Sequence, residues 1–297
     1  IILSRDKKTA KIFNKKNMKT FASYSLVKTM RGSILVLGPL ISKYHRSKIS
    51  LPGGCLIGAR PINYHLTALK KLGMKYKLKD GYILATSKGK LKGTIINFPK
   101  ISVGATENSI IAACLAKGKT ILKNCAIEPE IKDLTNFLNN AGAKIKWSGR
   151  TCKIIGVNFL NKTEYAVMSD RIEAGTFCVA ATLAKGNLKI KNLNPKVIRT
   201  EINLLKKVGA KIKTCQNEIL VKGPEKIKSI KSIKTKEFPG IPTDLQAQLM
   251  VLMCKATGKS SITESIFENR FMHVAELQRL GAKIIVKNNT AIIEGKT

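Results

Sequence analysis

A thiol set among glycines, with a guanidinium five residues further on, is the most chemically suggestive arrangement in this sequence. It lies in Leu51-Pro52-Gly53-Gly54-Cys55-Leu56-Ile57-Gly58-Ala59-Arg60-Pro61. Glycine reaches backbone angles other residues avoid and lets the main chain come close to a ligand. Arg60 supplies a planar fork suited to phosphate or carboxylate, and a nearby positive charge favours the thiolate, the reactive form of cysteine. The segment fits a loop that carries a reactive thiol. The structural alternative is a cysteine packed into a turn.

Asp244 is a second candidate. It follows Pro242 and Thr243 at the start of an apolar helical run, Leu249 to Cys254. An acid there is expected for helix capping and dipole reasons alone, and the same carboxylate could serve as a general base. Arg31 could bind an anion bidentately or form a weak surface ion pair. His65 and His273 read as packing or hydrogen-bonding residues. The seven cysteines contain no CxxC pair, which fits neither a disulfide framework nor a zinc site, and no cluster has metal-ligand spacing. Cys114, Cys178 and Cys254 sit in apolar helical runs that should bury their sulfurs.

Glycine spacing shows what must position these groups. Gly73, Gly142, Gly209 and Gly281 each follow an amphipathic stretch and precede a strand-like run, at intervals of 69, 67 and 72 residues. In step with them, Ala116-Lys117-Gly118-Lys119, Ala184-Lys185-Gly186-Asn187 and Ala256-Thr257-Gly258-Lys259 link a helix to a strand. The repeating unit reads helix, strand, helix, strand, strand, four times. Its first helix is apolar on nearly every side, as in Phe177-Cys178-Val179-Ala180-Ala181-Thr182-Leu183, and should be buried all round. The second carries a narrower stripe, such as Ile131, Leu134, Phe137 and Leu138, or Val274, Leu277 and Leu280. Strands alternate lysine with Ile, Leu or Val, so sheets should lie outside and helices inside.

The 297-residue chain is 44% hydrophobic with only nine prolines, a composition of globular cores and not of disorder. No apolar run approaches the roughly 18 residues of a membrane span, and the opening Ile1-Ile2-Leu3-Ser4-Arg5-Asp6 does not read as a signal peptide. The formal charge of +36 raises nucleic-acid binding as a function of another class. The excess is mainly lysine alternating with apolar residues, the pattern of a half-solvated strand, with little aromatic interleaving. The lysine-dense stretch 225–234 reads as an exposed connection or edge strand.

Taken together with Met30-Arg31-Gly32-Ser33, Leu37-Gly38-Pro39-Leu40, Lys100-Ile101-Ser102-Val103-Gly104-Ala105-Thr106, Glu128-Pro129-Glu130, Asp170-Arg171-Ile172-Glu173, Pro242-Thr243-Asp244-Leu245-Gln246 and Phe267-Glu268-Asn269-Arg270-Phe271-Met272-His273, the cysteine loop resembles the enolpyruvyl transferase family, in the branch that uses UDP-N-acetylglucosamine. The likeness covers essentially the whole chain. It implies an inside-out α/β barrel of repeated units, three per domain, with two domains around a cleft. The boundaries are a first barrel domain over 1–168, carrying the Cys55 loop, and an incomplete second over 169–297. Four units where the family has six imply a fragment lacking both termini, with a family Lys-Asn pair and C-terminal arginines and an aspartate missing. Residues 1–297 alone are therefore expected to expose apolar surface and to be inactive.

The resemblance also implies the reaction, transfer of the enolpyruvyl group of phosphoenolpyruvate to the sugar 3-hydroxyl in the first committed step of peptidoglycan synthesis. Cys55 matches the family's proton donor, which can also form a covalent adduct and confers sensitivity to fosfomycin-type epoxides; Asp244 matches the group that deprotonates the acceptor. Arg31 and Arg60 match arginines at the anionic substrates. Pro61, Ile62, Asn63, Tyr64, Lys100, Ile101, Ser102, Val103, Gly104 and Ile266 match contacts to the nucleotide, with Asn63 and Tyr64 standing where an aspartate and a leucine or glutamine are common. Arg270 either steers the loop or substrate or forms a structural ion pair. The implied partners are the two small-molecule substrates, with no cofactor, metal, nucleic acid or membrane, in the cytoplasm. A 3-phosphoshikimate-type enolpyruvyl transferase is the nearest alternative.

Overall fold

Four helix ends close in the same way, and they set the repeat. Gly73, Gly142, Gly209 and Gly281 have φ of 107°, 98°, 111° and 88°, a region glycine enters without steric cost. At each, the glycine N–H bonds the carbonyl three residues back and the next N–H bonds the carbonyl five back, as in Gly73 to Lys70 and Met74 to Leu69. This double closure satisfies carbonyls left open by the last helical turn and reverses the chain into a strand. The computed structural model describes residues 1–13, 18–53 and 61–295, so Cys55 and Arg60 lie outside the described residues.

The first unit comprises strand Phe21–Ala22, helix Leu37–Tyr44, strand Arg46–Ser50, helix Asn63–Lys71 and the hairpin Lys75–Lys79/Tyr82–Thr86. The second repeats this order with Ile95–Asn97, Val103–Ala113, Lys119–Lys123, Pro129–Asn140, Lys144–Ser148 and Thr151–Ile155. The third runs through helix Arg171–Leu183, Asn187–Lys191, helix Arg199–Lys207, Lys211–Cys215 and Glu218–Lys222. The fourth has Ile233–Lys234, Gln246–Cys254, Gly258–Thr263, Val274–Arg279, Lys283–Lys287 and Thr290–Gly295.

In every unit the last strand lies between the other two long ones and is antiparallel to both. In the first, second and fourth, a short leading strand adds in parallel at one edge. The sequence pattern lacked this strand, because two or three residues are too few to show alternation. Residues 233–234 supply it in the fourth unit, within the lysine-dense stretch read as an edge.

Lysines point outward along these strands. Lys75, Lys77 and Lys79, Lys144 and Lys146, Lys211 and Lys213, and Lys283 and Lys287 are exposed, while Ile83, Ile145, Ile212 and Ile284 are buried against the helices. The apolar residues form two clusters, one from Val27 to Ile154 and one from Ala174 to Ile293. Each helix-filled core with its outer sheets is an inside-out α/β arrangement, as the alternation implied.

Three expectations need correction. The helix Arg171–Leu183 is not buried all round: Glu173, Phe177 and Ala180 are exposed, Phe177 at 53%. Phe137 stands partly outside its stripe, edge-on to Tyr165 with ring centroids 5.5 Å apart. Leu280 is 84% exposed, although the equivalent Leu72, Ala141 and Val208 are buried. The reason lies in the connections. Lys92, Asn161 and Lys228, each in the segment entering the following unit, donate through their backbone N–H groups to the carbonyls of Leu72, Ala141 and Val208.

Candidate active site

The candidate residues fall into two groups, one in each half of the chain. In the first half, Arg31 opens the 3-10 helix Arg31–Val36, Asn63 and Tyr64 form the first turn of Asn63–Lys71, and Lys100 to Gly104 lead into Val103–Ala113. Ser102 caps that last helix, its hydroxyl accepting from Ala105 N at 3.4 Å. Unpaired N–H groups and the positive end of the helix dipole make this turn suitable for an anion, and Lys100 beside it is exposed.

A buried polar knot holds these elements together. Asn108, fully enclosed, accepts from Gly38 N at 2.7 Å, donates to Ile34 O at 3.0 Å and lies 3.2 Å from His65 Nδ1. A Cβ on Gly38 would collide with the Asn108 amide, so glycine is required for this approach. Burial pushes the His65 imidazole down to about 4, and the Arg31 guanidinium pushes the same way. The neutral ring accepts through Nδ1, which puts its proton on Nε2. His65 also fills the space in front of Gly104, where a Cβ would lie 3.0 Å from the ring. Asn108 and His65 thus fix Arg31, the turn at Gly104 and the helix carrying Asn63 and Tyr64 relative to one another.

In the second half, Asp244 does not cap the helix that follows. It sits in the 3-10 turn Thr243–Leu245, and its Oδ1 accepts from the Arg270 guanidinium at 2.7 Å. The pair joins two motifs 26 residues apart. Arg270 lies over the Phe267 ring, 5.8 Å from its centroid, a cation-π placement that restricts the guanidinium. Asp244 remains 58% exposed and open to a substrate. Ile266 lies in the same loop as Phe267, half-buried. Sequence reasoning missed Glu264, which is 2% exposed and accepts from Thr235, Thr243, Ile266 and Phe267.

The halves meet around Phe238, which the sequence reading did not single out. Its N–H donates to Glu128 at 3.3 Å and its carbonyl accepts from Arg150 at 2.8 Å. The Arg171 guanidinium lies 5.7 Å from its ring and binds Glu130 bidentately, at 3.0 Å for both contacts. Glu201 adds a contact at 3.9 Å. Arg171 is only 7% exposed, so pairing is what makes its burial tolerable.

Glu107, one turn inside the Val103–Ala113 helix, faces this cluster. Burial first, then the Glu130 and Glu128 carboxylates, push its carboxyl up to about 7. A folded-state pKa above the unfolded one favours the fold at low pH, an advantage lost as pH rises. Replacing Glu107 by glutamine should therefore abolish a fall in stability between about pH 4.5 and pH 7, worth at most about 3 kcal/mol. Urea melts of both proteins across that range check it, and the difference between them removes the opposite trend from His65.

Among the described residues, no group of three or more His, Cys, Asp or Glu side chains could hold a metal ion. No described helix is long and apolar enough to cross a membrane.

Comparison with known proteins gives these groups a context. Residues 2–297 match the family model for EPSP synthase (3-phosphoshikimate 1-carboxyvinyltransferase). The UDP-N-acetylglucosamine 1-carboxyvinyltransferase of Pelagibacter ubique (strain HTCC1062) is 63% identical over 295 residues, 99% of this chain and 70% of that protein. The protein of the same name from Geobacter metallireducens is 52% identical over 92% of this chain and 66% of its own length. Among solved structures, the enolpyruvyl transferase NikO from Streptomyces tendae superposes with a TM-score of 0.82 at 21% identity, covering 93% of this chain and 66% of that one. EPSP synthase from Acinetobacter baumannii gives 0.66 at 20% identity over 91% and 64%. The chain thus spans about two thirds of the length of the proteins it resembles, and the structural likenesses concern the fold.

Proposed function

We propose, from the premise that this chain belongs to the EPSP synthase family, that its protein transfers the enolpyruvyl group of phosphoenolpyruvate to the 3-hydroxyl of UDP-N-acetylglucosamine. The observation that carries the acceptor is the identity, across nearly the whole chain, with a relative named for that reaction. The product would be a peptidoglycan precursor, made in the cytoplasm. The working division is a domain over 1–168 and a second over 169–297, in keeping with the two hydrophobic clusters.

The chemistry assigns each group a role. A proton delivered to the methylene carbon of phosphoenolpyruvate leaves an oxocarbenium-like centre at the neighbouring carbon, and Cys55 is the proposed donor. The sugar hydroxyl attacks that centre while Asp244 takes its proton. Loss of a proton from the resulting methyl group and of phosphate, by cleavage of the bond between the attacked carbon and the phosphate oxygen, then restores the double bond. Arg31 and Arg60 hold the anionic groups through planar forks. The Ser102-capped helix start, Lys100, the segment Pro61–Tyr64 and Ile266 hold the nucleotide. Arg270 aims the Asp244 carboxylate.

The spread of exposed lysines over four sheets supports this reading over a nucleic-acid interface, which would gather them on one face. The test is an assay of the full-length enzyme with phosphoenolpyruvate and either UDP-N-acetylglucosamine or 3-phosphoshikimate. Phosphate release and an enolpyruvyl ether with the first acceptor alone are expected. Turnover only with 3-phosphoshikimate would overturn the assignment of acceptor.

A further inference from the structure

Asp244 stands on a turn of three residues, too short to hold a base in place by its own hydrogen bonds, so something behind it must. The side chain there is Glu264. Its Oε1 accepts from Thr235 Oγ1 at 2.8 Å, Ile266 N at 2.7 Å and Phe267 N at 3.2 Å, while its Oε2 accepts from Thr243 Oγ1 at 2.8 Å. Three segments meet on this carboxylate: the end of the edge strand at Thr235 and the turn bearing Asp244, both more than 20 residues before it, and its own loop, which bears Ile266 and Arg270. Ser265 N donates to Thr235 Oγ1 at 3.0 Å, and the Ser265 hydroxyl donates to Thr235 O, closing the loop upon the strand. Both partners of the Asp244–Arg270 pair are therefore tied to one buried anion, Asp244 through the adjacent Thr243 and Arg270 through the Phe267 ring beneath it.

We propose that Glu264 is a positioning residue for the reaction: through Thr243 and the Ile266–Phe267 backbone it fixes Asp244 and Arg270 in the geometry that deprotonates the acceptor hydroxyl. This rests on the enolpyruvyl-transfer reading. A buried carboxylate satisfied by four donors has little freedom, and hydrogen bonds to a charged acceptor are stronger than those between neutral groups. Rigid support behind a base matters because a displacement of about 1 Å can cost up to about a hundredfold in rate.

The contact to test is the Thr243 hydroxyl, since Thr243→Val keeps the shape of the turn and removes only its tie to Glu264 Oε2. In the full-length enzyme, Thr243→Val should lower kcat by roughly tenfold, with KM for phosphoenolpyruvate unchanged. Made in an Asp244→Asn background, the same change should cost nothing further, because the group being aimed is gone; a merely structural role would impose its loss in both backgrounds. Glu264→Gln can place its carbonyl oxygen against the three donors now on Oε1 and its amide against Thr243. It should therefore retain most of the turnover that Glu264→Ala loses. An active parent enzyme with unaltered turnover in Thr243→Val, or with equal loss in both backgrounds, would overturn this proposal alone. A parent without enolpyruvyl transfer would overturn the underlying reading and this proposal with it.

Discussion

Asp244→Asn in the full-length enzyme should lower kcat by roughly 10²- to 10⁴-fold, the range over which a positioned general base contributes, while KM for UDP-N-acetylglucosamine changes by no more than a few-fold. The asparagine side chain keeps the size of aspartate and an acceptor oxygen, so the Arg270 contact at 2.7 Å survives as a hydrogen bond from the charged guanidinium to a neutral acceptor. What disappears is the ability to take a proton. A group that acts as the hydroxyl attacks lowers the barrier without contributing much to ground-state binding, so the loss should appear in kcat and in kcat/KM together. Steady-state kinetics with both substrates varied will show the split. A raised KM with intact kcat would make Asp244 a binding residue and remove it from the chemistry.

The fold was legible where a single residue type has to do a particular job. The four glycines that end the second helices announced the repeat, because the closing turn needs positive φ and each of them has it. The corresponding helix-to-strand turns were harder. Gly118 and Gly258 carry positive φ there, but in the third unit the residue is Lys185, not Gly186, and the first unit uses His45 at φ 59°. A sequence scan for glycine passes over both. The short leading strands were invisible for another reason, since Ile95–Asn97 and Ile233–Lys234 are strands only because a longer neighbour pairs with them.

The candidate site divides in the same way. Asp244 and Arg270 could be named from their motifs, but that they form one pair depends on the turn and the loop being brought together. Glu264 looked like any other charged residue in the sequence, and only its four donors distinguish it. Glu128, Arg150 and Phe238 likewise acquire significance from distant partners. Candidates whose place is set by nearby sequence, such as Ser102 at its helix start, could be named from a motif; those defined by long-range contact could not.

Thiol reactivity offers the sharpest test of the loop with which the sequence reading began. Burial pushes Cys114 and Cys178 up to about 12 and Cys125 up to about 11, from an ordinary value of 9.0. It pushes Cys152 and Cys254 up as well. A rise of three pH units leaves about a thousandfold less thiolate near neutral pH, and the thiolate is what reacts. Cys254 is only half-buried, contrary to expectation, and Cys215 is exposed at the end of its strand. In the full-length protein, limited alkylation should therefore modify Cys55 first and Cys215 as the background site, with Cys114, Cys125, Cys152 and Cys178 at least about a hundredfold slower. UDP-N-acetylglucosamine should change the rate at Cys55 and leave Cys215 untouched, since only the former belongs to the proposed site. Peptide mapping by mass spectrometry after timed quenching separates these rates. If Cys55 reacts no faster than Cys215, and at the same rate with and without the nucleotide sugar, it has neither an activated thiol nor a place beside the substrate, and the proton donor must be sought elsewhere.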